Sequence, residues 1–196
     1  MDRAARGKLH GVSTVASYAL AVVGFAMMVS AVLRTLSSNL RYIYTRPLLI
    51  NALRTNANHA ERLCKTSPES YFGAVGAALK TAGMIGSRDP KIIPTATLPA
   101  YDATGTAISM GWKTLLGRVK LGLMAAGGAV ALGLAKGVPA IPVLVLAVGV
   151  GIGFLWLFLY NQEVDRCILL ARAEILPEVN RAIAEGRYTF PPSPAA

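Results

Sequence analysis

Few residues in this chain have the types and spacing that chemistry needs. Cys64 and Cys167 lie more than 100 residues apart in sequence, with neither a CxxC pair nor a nearby histidine pair, and read as reduced, structural thiols. His10 and His59 are similarly isolated, and each reads as a polar border residue rather than a metal ligand. There is no G-x-S-x-G, P-loop, H-E-x-x-H or dinucleotide fingerprint, and the ten acids fall mostly on the polar faces of helical segments. The residues therefore predict no catalytic group, no cofactor and no metal site, and a protein that is not an enzyme.

What remains is a set of small residues inside apolar runs. Gly149 and Gly153 form a GxxxG, Ala147 and Gly151 a second small-xxx-small pair, and Gly122/Ala126, Gly127/Ala131 and Ala129/Gly133 repeat the spacing earlier in the chain. Gly128 sits in the Ala-Gly-Gly-Ala segment at 126–129, where a packing role outweighs a phosphate-binding loop because the surroundings are apolar. In lipid, apolar helices gain nothing by hiding from water. They associate through close contact and interhelical hydrogen bonds, which small side chains permit. Gly127, Gly128, Ala131, Ala147, Gly149, Gly151 and Gly153 are thus expected to pack helices tightly or to face partner helices. Ser13, Thr14, Ser17 and Ser30 are expected to return hydrogen bonds to their own helix.

The elements that position these residues are membrane helices. Residues 138–160, VPAIPVLVLAVGVGIGFLWLFLY, carry no charge and would rise about 34 Å as a helix, enough to cross a bilayer. Residues 11–33, GVSTVASYALAVVGFAMMVSAVL, are likewise uncharged. Arg3, Arg6 and Lys8 in the segment 1–10 make this run resemble a signal peptide, with SAVL at 30–33 a loose cleavage mimic. It is longer than the usual ~7–15-residue apolar region, so retention as a span is the expectation. Residues 119–136 are a third, shorter span, provided Lys120 and Lys136 extend their ammonium groups to opposite interfaces. Lys136, Gly137, Val138 and Pro139 then form a tight hairpin, with Pro139 and Pro142 as helix starts.

The whole chain is 54% hydrophobic and 15% charged, with a net charge of +10. Twelve of the twenty Lys and Arg lie between Arg34 and Lys120. No aromatics interleave with them and no nucleic-acid motif is present, so membrane topology explains the charge better than nucleic acid does. The basic loop and tail are expected in the cytoplasm and, with three spans, the N-terminus outside.

Segment 34–118 predicts helices. Pro47 is expected to open a helix that runs through Cys64 and gathers Leu49, Leu53, Ala57, Ala60 and Cys64 on one face. Ser67-Pro68-Glu69 reads as the cap of the next helix, and Asp89-Pro90 as another start. Pro94 and Pro99 are expected to interrupt before a helix that continues into the middle span. Residues 161–188 extend the last span as an amphipathic helix that Pro177 kinks, and 189–196 read as a disordered tail. The fold class is all-α: three transmembrane helices with a cytoplasmic helical bundle formed by the loop and by extensions of the spans.

This layout resembles the MotA/TolQ/ExbB family of proton-channel subunits. The segment PLLINALRTNANHAERLCKTSPESYFGAVGAALKTAG is similar to that family's loop in kind: a helix, an A-E-R-L-C turn region, then a small-residue helix. The resemblance implies a homo-oligomer, a pentamer in that family, in the bacterial inner membrane. It also implies that the last two helices surround a single-span partner of the MotB, TolR or ExbD type that carries the proton-accepting Asp. The family's pore threonine and intramembrane acid have no equivalents between Gly122 and Tyr160. The implied function is to scaffold or help power ion-gradient-driven transport or motility. Two other readings fit the residues: a noncatalytic adaptor recruiting cytoplasmic proteins or anionic lipids, and a membrane-shaping hairpin.

Overall fold

A computed structural model describes residues 3–38, 41–136 and 140–189. It contains α1 (Arg3–Ser38), α2 (Tyr42–Thr55), α3 (Ala57–Cys64), α4 (Tyr71–Ile85), α5 (Ile92–Lys136), α6 (Ala140–Glu174) and α7 (Leu176–Ala184), with no strand among the described residues. Three segments are long and apolar enough to cross a membrane: Val15–Leu36, and the apolar parts of Ile92–Leu132 and Ile141–Ala184. The chain is thus an all-helical protein with the makings of a multi-pass membrane protein. It divides into an apolar unit, residues 1–37 and 112–161, and a helical unit, residues 38–111 and 162–196.

The helical unit is built around Leu49 and Leu53 of α2, Val75 and Leu79 of α4, Tyr101 of α5, Ile175, and Val179 and Ile183 of α7, all buried. The predicted apolar stripe Leu49, Leu53, Ala57, Ala60 and Cys64 is buried as one face, but it belongs to two helices. Asn56 adopts an extended backbone, ends α2, and caps α3 by accepting a hydrogen bond from Asn58 N at 3.0 Å. An Asx side chain competes with the helix for its own backbone, which splits a run whose periodicity alone predicts continuity.

Proline positions depart from expectation in the same direction. The helix begins at Tyr42, not Pro47, and Pro47 lies inside it. The first turn is held by tertiary bonds: Tyr42 Oη donates to Glu174 Oε2 at 2.9 Å, and Thr45 Oγ1 lies 2.6 Å from Tyr71 Oη. Pro94 and Pro99 do not interrupt α5. Pro94 falls in the first turn, where its missing N–H needs no partner. Beside Pro99, Thr97 Oγ1 bonds both Ile93 O and Asn180 Oδ1, and buried Tyr101 donates to Ile168 O at 2.7 Å. Pro177 does more than kink the tail: α6 ends at Glu174 and α7 starts with Pro177 in its first turn.

Caps follow local chemistry. Ser67-Pro68-Glu69 is a turn, and the cap of α4 is Ser70, whose Oγ accepts from Phe72 N at 3.2 Å. Asp89 does open α5, its Oδ1 accepting from Lys91 N at 2.9 Å. At the end of α4, Gly86 has φ 66°, a left-handed conformation that glycine adopts without a Cβ penalty.

Charge ties the perimeter. Arg46 pairs with Glu174 at 2.7 Å, Arg54 with Glu178 at 2.8 Å and Arg172 with Asp102 at 2.8 Å. These pairs are exposed, so each contributes at most about 1 kcal/mol. Glu61 is better enclosed. Burial pushes its carboxyl up, but hydrogen bonds from Lys65 and Tyr188 outweigh that and hold it below the usual 4.5. Burial, with the Glu61 bond, pushes the Tyr188 phenol up to about 12. Cys64, buried in the core, has its thiol pushed up to about 12, mainly by desolvation.

Because the folded-state pKa of Glu61 is depressed, its contribution is present above 4.5 and is lost as pH falls through the folded value. Chemical unfolding of the detergent-solubilised protein, followed by circular dichroism, should lose stability as pH drops below that range. Glu61→Gln should be less stable near neutrality and flatter across the same window. An identical acid limb in both proteins would remove Glu61 from the account.

Candidate functional site

The small residues of the apolar unit are the only candidate site that the sequence offers, and their surroundings sort them into two groups. Gly149 and Gly153 face α1. A Cβ on Gly149 would lie 3.3 Å from the Phe25 ring, and one on Gly153 would collide with the Met28 Sδ and Cγ. Ala147 is half-buried against the same cluster, which joins Met28 and Ala31 of α1, Val119 and Ala126 of α5, and Val150 and Leu157 of α6. Gly127, Gly128 and Ala131, by contrast, are exposed, and a Cβ on Gly127, Gly128 or Gly151 would meet nothing within 4 Å. The GxxxG of α6 therefore seats side chains of α1, while the glycine pair of α5 lies on an open face.

The closest approach of one helix backbone to another in the apolar unit is one that sequence reasoning missed. A Cβ on Gly24 would lie 2.6 Å from Gly122 O, and one on Gly122 would lie 3.2 Å from Gly24 O. Seven residues away along α1, Ser17 Oγ donates to Ala129 O at 2.7 Å, fully buried. This corrects the expectation that Ser17 bonds its own helix. The approach at Gly24 and Gly122 brings the α5 carbonyls within reach, so a hydroxyl there bridges two helices. Ser30 does bond within α1, to Met27 O, whereas the side chains of Ser13 and Thr14 lie outside the described residues. A signal existed: Ser17, Ala21, Gly24, Met28, Ala31 and Thr35 recur every three or four residues, and all are buried.

Pairing 17 with 129 and 24 with 122 makes α1 and α5 antiparallel; Phe25 opposite Gly149 and Met28 opposite Gly153 make α1 and α6 parallel. One end of this unit is polar and aromatic. The Arg34 guanidinium sits 5.7 Å over the Trp112 ring, Trp112 meets Tyr160 edge-on at 5.0 Å, and Trp156 Nε1 donates to Thr35 Oγ1 at 3.4 Å. Such amphipathic rings suit a membrane–water border. Asn161 Oδ1 is buried there without a hydrogen-bond partner among the described residues.

No three metal-ligating side chains gather among the described residues, and both cysteines are free and buried in the helical unit. The connection at 137–139, including Pro139, lies outside the described residues; Pro142 falls in the first turn of α6, where proline is tolerated. Residues 190–196 of the tail also lie outside them. No family model, curated protein or solved structure matches the chain.

The two groups of glycines should respond differently to bulk. Gly153→Leu and Gly24→Leu should destabilise the purified chain by about 1–3 kcal/mol or more, because a side chain there overpacks a filled interface. Gly127→Leu should leave the melting temperature of the monomeric chain unchanged, since within one chain a side chain there meets nothing within 4 Å. Equal losses in all three variants, measured in one detergent, would show that the α5 face is covered.

Proposed function

We propose that this chain is a noncatalytic scaffold subunit of an ion-gradient-driven complex in a bacterial inner membrane, built in the manner of the MotA/TolQ/ExbB family. The observation that carries the reading is the order of the helices. α1 is followed by a helical unit and then by two helices, α5 and α6, that each run unbroken from apolar into polar sequence. A chain needing only an anchor would not require two such helices. Continuous helices can transmit a rotation or a shift between a membrane and a domain outside it. In this reading, segment 34–118 and the extension 161–188 are cytoplasmic and the N-terminus is outside.

The charge distribution supports a mechanism shared with a second protein. No Asp or Glu occurs among the described residues of the apolar unit. A proton relay across lipid needs ionisable side chains, so the carrier must come from a partner. A single-span protein of the MotB, TolR or ExbD type with an intramembrane acid fits that requirement. The exposed small residues Gly127, Gly128 and Ala131 offer a face on which helices could approach closely, and a homo-oligomer, pentameric as in the family, would assemble through such faces.

Native mass spectrometry in mild detergent should find an oligomer, and the protein isolated from its source should carry a single-span partner. A strictly monomeric chain without a membrane partner would leave the adaptor reading instead. In liposomes with an imposed proton gradient, the chain alone should be silent and the chain with its partner should conduct. Proton leakage by the chain alone would overturn the partner-supplied carrier.

Topology gives a separate check. In a background lacking Cys64 and Cys167, single cysteines replacing Met84 and Lys136 should label from opposite faces of the membrane, Lys136→Cys from outside intact cells. Labelling of both from one face would exclude the three-span arrangement.

A further inference from the structure

The first half of α2 presents an apolar face that none of the described residues covers. Its inward residues Tyr42, Leu49, Ala52 and Leu53 are buried in the core of the helical unit. On the opposite side Ile43 is 80% exposed, Tyr44 65% and Leu48 64%, with exposed Pro47 between them. The second half of the helix turns outward polar residues instead, Asn51, Arg54 and Thr55. An apolar patch confined to the start of an amphipathic helix needs an occupant, because water-facing positions so close together seldom hold three large apolar side chains.

Three observations identify that occupant. First, only residues 39–41 separate α1 from α2, so the patch follows directly on a helix long and apolar enough to cross a membrane. Second, the charge is of one sign. α2 contains no acid, exposed Arg41 precedes the patch, and Arg46 is already held by Glu174 at 2.7 Å. An arginine and a tyrosine bordering aliphatic side chains suit the level of lipid phosphates and glycerol. Third, the patch is small. Four side chains on about one and a half turns fall well short of the ~800 Å² per partner that a stable protein interface buries.

We propose that α2 is an interfacial helix, with Ile43, Tyr44, Pro47 and Leu48 immersed in the headgroup–acyl boundary of the bilayer and Arg41 at the phosphates. The inward face stays in the core of the helical unit, so one helix is shared between a protein interior and a lipid surface. This docks the start of the helical unit on the membrane independently of any partner protein and of the proposed ion-coupled role.

The test uses the full chain reconstituted in vesicles of phosphatidylcholine and phosphatidylglycerol at three to one. Nitroxide labels are placed singly at Tyr44→Cys, Leu48→Cys and Lys80→Cys, all exposed positions, in a background lacking the two native cysteines. Power saturation with oxygen, which concentrates in lipid, and with a water-soluble nickel chelate reads the depth of each. Labels at 44 and 48 should collide several-fold more with oxygen than with nickel, while the label at 80 should show the reverse. Nickel accessibility at 44 and 48 equal to that at 80 would place the face in water and overturn the proposal. Protection from both reagents, or dipolar broadening between labels on different copies, would assign the face to a protein and overturn it equally.

Discussion

The apolar unit depends on the contact between Gly24 and Gly122. In lipid, burying one apolar side chain against another gains little, because the acyl chains it leaves are equally apolar. Helices are held instead by van der Waals contact at short range and by the few hydrogen bonds that can cross between them. Both need backbones to come close. Two glycines facing each other bring α1 and α5 so close that a Cβ on Gly24 would lie 2.6 Å from the Gly122 carbonyl oxygen, and Ser17 then reaches the Ala129 carbonyl two turns away. Once α1 is fixed on α5, Phe25 and Met28 project toward α6, where Gly149 and Gly153 leave them room. The smallness of one helix and the bulk of another are one device, and α1 is its centre.

Much of this is legible in the sequence alone. Uncharged runs identified the three apolar helices, because length and charge are sufficient to define a span. The GxxxG of α6 was also visible, since small residues four apart stand out among Val, Leu and Phe. Its partner was not. Spacing reports that a face is small without reporting what fills it. The filling side chains come from α1, more than 110 residues earlier, where a single glycine among alanines drew no notice. A heptad reading of Ser17, Ala21, Gly24, Met28 and Ala31 would have found the face. No reading of one sequence would have matched it to Gly122.

The helical unit taught a different lesson, at its prolines and caps. Pro47 and Pro99 each weigh against a helix locally, by removing one donor and crowding the preceding turn. Each is overruled because the surrounding turn is anchored elsewhere: Tyr42 and Thr45 near Pro47, Thr97 and Tyr101 near Pro99. These anchors are long-range, so the penalty was legible and the compensation was not. Conversely, Asn56 breaks a helix whose apolar stripe never falters, because a side chain that satisfies the backbone locally makes the break inexpensive. Periodicity describes which face is buried. Backbone hydrogen bonding decides where one helix stops.

Charge completes the division of labour. All acids among the described residues lie in the helical unit, where Asp102, Glu174 and Glu178 pair with arginines, whereas the charged side chains among the described residues of the apolar unit are all cations. A cation near the end of an apolar helix can extend its head to the phosphates, so it is tolerated there; a carboxylate at the same depth faces the negative surface of the membrane as well as the cost of desolvation. That asymmetry explains how a chain of net charge +10 keeps a membrane-compatible core. Among its described residues the apolar unit is thus held by close helix contact and a few hydrogen bonds, such as Ser17 to the Ala129 carbonyl, with no carboxylate taking part.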